Sequence, residues 1–156
     1  AEIYSQLVNS VVIRTNFFGK SNNVRRKSFS DWIIEKFKNK ERIAAFDDVF
    51  FSPLSMNTLC DLILKIIEQP KFGVFNVGSS NGMSKAEFIY QIATKFGFST
   101  KLVKCITIDE ANLYACRPKN MMMDSTLFQQ TYNLILPSLK NEISLLKGEY
   151  KDAIKK

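Results

Sequence analysis

Three consecutive cations, Arg25, Arg26 and Lys27, follow the polar run Lys20-Ser-Asn-Asn-Val24. Guanidinium and ammonium groups clustered in one loop suit charge-assisted hydrogen bonds to a diphosphate; an exposed basic loop that binds nothing is the competing reading. A second candidate is Thr15-Asn16-Phe17, which follows the apolar, β-branched run Val11-Val12-Ile13. Polar residues just past a buried strand stand at the edge where α/β folds bind ligands, although Asn16 can also simply bond its own turn. Phe50 and Phe51 offer aromatic faces for a ligand pocket or for the core. Arg117 is a cation that directly precedes Pro118. Met121-Met-Met123 reads as adaptable core filler and receives no role.

Other chemistry is excluded by composition. The chain has no histidine, and its three cysteines (Cys60, Cys105, Cys116) have no metal-ligand spacing. A structural zinc site, a histidine-based triad and the commonest general base are therefore ruled out. No catalytic residue and no metal ligand is assigned. Unpaired cysteines fit a reducing, cytoplasmic setting. The formal charge of +7 calls for an anionic partner: a nucleotide diphosphate, a nucleic acid or an acidic surface. Most lysines are spread singly along helical stretches, which is the pattern of a solvated face.

These residues must be positioned by elements that the spacing of apolar side chains predicts. At 156 residues and 46% hydrophobic content, the chain is expected to form one unit over 1–156. No stretch is apolar enough to span a membrane, no secretory signal opens the sequence, and the lack of an initiating Met is read as the mark of a fragment. Ile3, Leu7 and Val8 suggest the last turns of a helix. A buried strand at Val11–Ile13 follows, then a helix capped by Ser28 or Ser30 that buries Ile33, Ile34 and Phe37. Strands are expected at Ile43–Phe46 and Val49–Ser52, with Pro53 as the break. Leu59, Leu62, Ile63, Ile66 and Ile67 mark the buried stripe of a second helix that ends before Pro70. Gly73–Gly78 reads as a strand. Ser84-Lys-Ala-Glu87 is the signature of a capping box, ahead of a helix carrying Phe88, Ile89, Ile92, Ala93 and Phe96 and stopped by Gly97. A strand near Leu102–Ile108, a short helix capped by Asp124, and a final helix after Pro137 with Leu139, Ile143, Leu146 and Tyr150 complete the chain. The tail 151–156 is expected to fray. Strands alternating with helices make the class α/β with a partly parallel sheet.

Several of these segments, in this order, resemble the C-terminal half of the extended short-chain dehydrogenase/reductase superfamily, most of all its dTDP-4-dehydrorhamnose reductase branch. They are Val12-Ile-Arg-Thr-Asn-Phe-Phe-Gly19, Phe29-Ser-Asp-Trp-Ile-Ile34, Asp47-Asp-Val-Phe-Phe-Ser-Pro53, Gly73-Val-Phe-Asn-Val-Gly78, Met83-Ser-Lys-Ala-Glu-Phe88, and Arg117-Pro-Lys-Asn120 with Asp124. The resemblance implies the last part of a Rossmann-like doubly wound sheet plus a small mixed α/β substrate-binding subdomain. It implies that Thr15, Asn16 and Phe17 touch the nicotinamide and the sugar, and that Arg117 reaches a nucleotide diphosphate. With the residues above, this makes Asn16, Arg25, Arg26, Lys27, Phe50 and Arg117 the candidate substrate contacts.

The family's Gly-rich cofactor turn is not in this sequence, and its Tyr-x-x-x-Lys pair would fall just before Ala1-Glu2. Tyr4 is not that tyrosine, because position 8 is Val. Two further departures are Thr58, where many members carry Asp, and Cys116-Arg117 in place of an Arg-Arg pair. The expectation is thus the substrate-binding half of an NAD(P)-dependent nucleotide-sugar reductase, without its cofactor-binding half, binding no cofactor and inactive alone. The alternatives are a nucleotide-sugar epimerase or dehydratase, or a non-catalytic regulatory or scaffold member. Its partner would be a nucleotide-diphosphate sugar, with neither nucleic acid nor membrane. An uncovered sheet edge is expected to drive aggregation or homodimer formation.

Overall fold

The computed structural model describes Glu2, residues 8–23 and residues 25–151. The expected opening helix therefore lies, apart from Glu2 and Val8, outside the described residues, as do Tyr4 and residues 152–156 of the tail; Val8 sits in a bend. The described chain is mixed α/β and contains nine strands, most of them short, in four small sheets.

Strand β1 (Val11–Thr15) pairs in parallel with β6 (Gly73–Val77), from Val11 opposite Gly73 to Thr15 opposite Val77. Helix α2 (Met56–Glu68) and helix α4 (Thr126–Tyr132) serve this pair: Leu62, Ile66, Phe75, Val77, Phe128 and Leu136 form one core with Leu54. Val11, Val12 and Ile13 are half-buried rather than buried, because among the described residues β1 has one neighbouring strand. The stripe expected on α2 is also only partly covered. Leu59, Leu62 and Ile66 are buried, whereas Ile63 and Ile67 join Leu64 at the surface, Ile67 at 68% exposure.

A second, larger core gathers three other helices. Helix α1 (Phe29–Lys38) supplies Ile33, Ile34 and Phe37; α3 (Lys85–Phe96) supplies Phe88, Ile89, Ile92 and Phe96; α5 (Leu139–Glu149) supplies Leu139, Ile143 and Leu146. Strand β3 (Ile43–Phe46) pairs in parallel with β8 (Val103–Ile106) alongside them. Strand β4 is shorter than expected, Phe50–Phe51, and lies between antiparallel β7 (Met83–Ser84) and parallel β9 (Asn120–Met121). The two cores meet at one short parallel pair, β2 (Phe17–Phe18) with β5 (Leu54–Ser55). Phe18 packs into the larger core and Leu54 into the smaller.

The caps follow local chemistry with two corrections. Ser28, not Ser30, caps α1, and it forms the full reciprocal box with Asp31. At Ser84 only the serine arm forms, from Glu87 N–H at 3.1 Å, and Ser84 is also a member of the β4–β7 ladder. Gly97 ends α3 in the left-handed conformation, as expected. Asp124 accepts from Thr126 N–H, but the cap position itself is Ser125, whose hydroxyl receives Gly78 N–H at 2.9 Å.

Thr58, the departure from the expected Asp, has a physical account. Its hydroxyl donates to Glu142 Oε1 at 3.0 Å, and Glu142 Oε2 receives Ser55 N–H at 2.6 Å. Glu142 belongs to α5 and is 2% exposed. The carboxylate favoured at a helix N-terminus thus arrives on α2 from another helix. An Asp at position 58 would set a second negative charge against it.

Phe88 is fully buried and meets the rings of Phe18, Phe51 and Phe29 at centroid distances of 5.1, 5.2 and 5.8 Å. Phe88→Ala is expected to cost about 3–5 kcal/mol of stability, and Ile67→Ser less than about 0.5 kcal/mol. Urea unfolding of both variants checks this; equal losses would mean that the surface of α2 is covered in solution.

Candidate functional site

The turn Thr15-Asn16-Phe17 lies at the seam between the cores. Thr15 hydroxyl donates to Val77 O at 2.7 Å, and Asn16 O receives Leu54 N–H at 3.1 Å, so the turn's backbone is fixed by both neighbouring strands. Asn16 Oδ1 is buried and meets no donor among the described residues. An orphaned buried acceptor costs about 1–3 kcal/mol, a cost that a ligand N–H or O–H placed there would relieve. Phe17 turns its ring outward, 56% exposed.

The basic loop stands beside this turn, and one carboxylate organises it. Asp31 Oδ2 receives Ser21 N–H at 3.0 Å and Ser28 N–H at 2.9 Å, while Asp31 Oδ1 receives Tyr150 Oη–H at 2.6 Å. Ser28 hydroxyl donates to Gly19 O at 2.5 Å, closing the loop on itself. Lys20 N–H donates to Glu149 Oε2 at 2.7 Å. Gly19 has φ 154°, and a Cβ there would meet Glu149 Oε2 at 3.3 Å, so the turn favours glycine on both counts. Burial works to raise the Asp31 pKa, but the bonds from Tyr150, Ser28 and Ser21 outweigh it and hold the carboxyl below its ordinary value. The Tyr150 phenol is pushed up by burial and by its bond to Asp31.

Phe17 of the turn and the basic loop line a cavity of about 590 Å³ that includes Gly19, Arg26, Lys27, Phe29 and Met56; Thr15, Asn16 and Arg25 are not among its lining residues. A smaller hollow of about 370 Å³, lined in part by Lys20, Lys27, Asp31 and Tyr150, shares Lys20, Ser21, Asn23 and Lys27 with that cavity. Arg25 and Arg26 are exposed, and their backbone N–H groups bond Asn23 Oδ1 and Asn23 O. Lys27 is already paired with Glu35, at 2.6 and 2.8 Å, an exposed pair of small energetic worth.

Phe50 and Arg117 are not among the residues lining this cavity. Phe50 is partly exposed on β4, whereas Phe51 is core. Arg117 is exposed, and its charge acts on Lys85. Lys85 Nζ sits 4.9 Å from the Phe29 ring centroid and 5.2 Å from that of Phe51. Burial first, then Arg117, lowers its pKa. Since Phe29 lines the cavity and also carries Lys85, the two regions share a wall.

The sequence reading missed Asp31, Tyr150, Glu149, Lys20, Met56 and Lys85. Only Asp31 carried a local signal, as the fourth residue of Ser28-Phe-Ser-Asp31; Tyr150 lies 119 positions from its partner.

Comparison with known proteins bears on what this arrangement serves. The family described as RmlD substrate binding domain matches residues 1–151. Among solved structures, a Bacillus anthracis dTDP-4-dehydrorhamnose reductase in complex with NADP superposes with TM-score 0.80 at 24% identity, covering 89% of this chain and 48% of its own. A hypothetical dTDP-4-dehydrorhamnose reductase from Sulfolobus tokodaii gives 0.68 at 26% identity, covering 84% and 45%. The Bordetella bronchiseptica enzyme WbmG, in complex with NAD and UDP, gives 0.73 at 16%, covering 94% and 45%. The chain therefore has the Rossmann-like fold of these enzymes and spans about half of their length. Among curated proteins nothing matches. Among the described residues no helix is long and apolar enough to cross a membrane.

Because the folded Asp31 pKa lies below its ordinary value, the stability it contributes is whole above about pH 4–5 and is lost as pH falls through the folded value. Asp31→Asn is expected to lower stability by about 1–2 kcal/mol at pH 7, roughly 2–8 °C in Tm. The gap to wild type should be smaller at acid pH than at pH 7, as the carboxyl takes up its proton. Urea titrations at both pH values check it; a gap independent of pH would contradict the assignment.

Proposed function

The chain belongs to the RmlD substrate binding domain family, and on that footing we propose that residues 1–156 form the sugar-nucleotide-binding part of an NAD(P)-dependent reductase acting on a keto-sugar. The observation that carries this reading is the cavity that joins Phe17 of the strand-end turn to Arg26 and Lys27 of the loop. Arg26 supplies a fork of donors suited to a diphosphate, and Arg117 extends the positive field from the neighbouring face. Phe17 offers an apolar face for a sugar or base. Thr15, fixed to Val77 O, holds the turn rather than the ligand.

Asn16 Oδ1, buried and without a donor among the described residues, fits a sugar hydroxyl or the carboxamide of a nicotinamide. When bound, NAD(P)H supplies the hydride to the keto carbon. The residues of this chain would orient the sugar and screen it from water; the proton would come from elsewhere. None of the five tyrosines is followed four positions later by lysine, and there is no histidine. We therefore read the chain alone as a binding unit without turnover. Epimerases and dehydratases of the same superfamily would use the same binding groups, so the bound nucleotide is the first thing to test.

A second reading, a non-catalytic binding member of the superfamily, draws on the exposed apolar residues Leu64 and Ile67, one turn apart on α2, and Phe72, side chains suited to a protein partner or a second copy of the chain.

Trp32 is the only tryptophan and stacks on Phe29 at 5.9 Å, so its fluorescence reports on the cavity wall. Titration with thymidine diphosphate is expected to quench it. Arg26→Ala and Arg117→Ala should each weaken binding by about tenfold or more with Tm unchanged. Absence of a response at millimolar nucleotide would favour the second reading. Tighter binding of DNA that collapses with salt would overturn both.

A further inference from the structure

We propose that Tyr150 and Glu149, at the end of the last helix, are positioning residues for the loop that carries Arg25, Arg26 and Lys27, with Tyr150 acting through Asp31. Inside the loop the bonds are local: Asn23 N–H to Ser21 Oγ, Arg25 N–H to Asn23 Oδ1, Arg26 N–H to Asn23 O. Such turns give the loop a shape but no fixed place on the molecule. Its place is set at its ends. Lys20 N–H is held by Glu149, and Ser21 and Ser28 N–H are both held by Asp31 Oδ2.

Asp31 Oδ1 is held in turn by the Tyr150 hydroxyl. The Tyr150 ring is buried and meets Phe96 edge-on at 6.1 Å, so the core fixes where that hydroxyl stands. The final helix therefore transmits the position of the core to the loop. The consequence for ligand affinity rests on the reading of the cavity as a diphosphate site. The hold on the loop does not.

Amide hydrogen exchange and thymidine diphosphate titration of the intact chain test this with Tyr150→Phe, which keeps the buried ring, and with Glu149→Gln, which keeps the shape of the second anchor. Exchange within residues 19–28 is expected to rise by about tenfold in each variant, with helix 85–96 unchanged, and nucleotide affinity to fall by about tenfold. Added to Asp31→Asn, Tyr150→Phe should weaken binding by less than about twofold further, because it acts through that carboxylate. Unchanged loop exchange, loosening spread equally over helix 85–96, or additive effects with Asp31→Asn would overturn the proposal. If the loop loosens as expected while the wild-type chain ignores the nucleotide, the diphosphate reading fails and the hold of Tyr150 on the loop stands.

Discussion

The carboxylate of Asp31 is the point on which the candidate site depends. It closes the capping box of α1, joins both ends of the basic loop, and takes the hydroxyl of a tyrosine 119 positions away in sequence. Three donors on one half-buried carboxylate form a network in which each bond fixes the geometry of the others. The loop could satisfy its backbone with water, as surface loops do. Because it is tied to Asp31, Arg26 and Lys27 keep a defined relation to Phe17, and the three line one cavity.

Helix α5 does the same work at a second place. Its first turn delivers Glu142 to the N-terminus of α2, where Ser55 and Thr58 donate to it, and its last turn delivers Glu149 to Lys20. One helix thus anchors the two segments that flank the seam between the cores, the start of α2 and the basic loop. The β2–β5 pair across that seam is only two residues long on each side. Directional bonds from α5 supply the registry that so short a pair provides weakly. This also explains how Thr58 is tolerated where a carboxylate is expected: the charge has moved to another helix, while the helix terminus that needs it has not changed.

Much of the secondary structure was legible because it rests on local chemistry. The stripe from Phe88 to Phe96, Gly97 behind it, and the spacing Leu139, Ile143, Leu146, Tyr150 each specify a helix and the face it buries. The degree of burial was less legible, since it depends on what covers an element. Ile63 and Ile67 have the right spacing for a core and lie at the surface, and β1 is β-branched yet half-covered. The site was legible as separate pieces: turn, basic loop, Arg117. What joins them was not, because Tyr150 to Asp31 and Lys85 to Phe29 are contacts between distant positions, and no local pattern encodes them.

The charge of the chain gains meaning from this geometry. Arg14 pairs with Glu2, Lys36 with Glu41, Lys27 with Glu35, and Lys119 with both Asp48 and Asp109. Arg25, Arg26, Lys85 and Arg117 have no carboxylate partner among the described residues, and the last three stand around Phe29 or act on a group that does. Lys85 also occupies the first turn of a helix, where the macrodipole disfavours a cation. A protein has no stability reason to place unpaired positive groups near one another. On the proposed reading an anion entering there would make the arrangement favourable, since a field focused between aromatic walls attracts and orients such a ligand from solution. These cations are only part of the +7 excess; most of the remaining lysines are spread singly along the chain, the pattern of a solvated face.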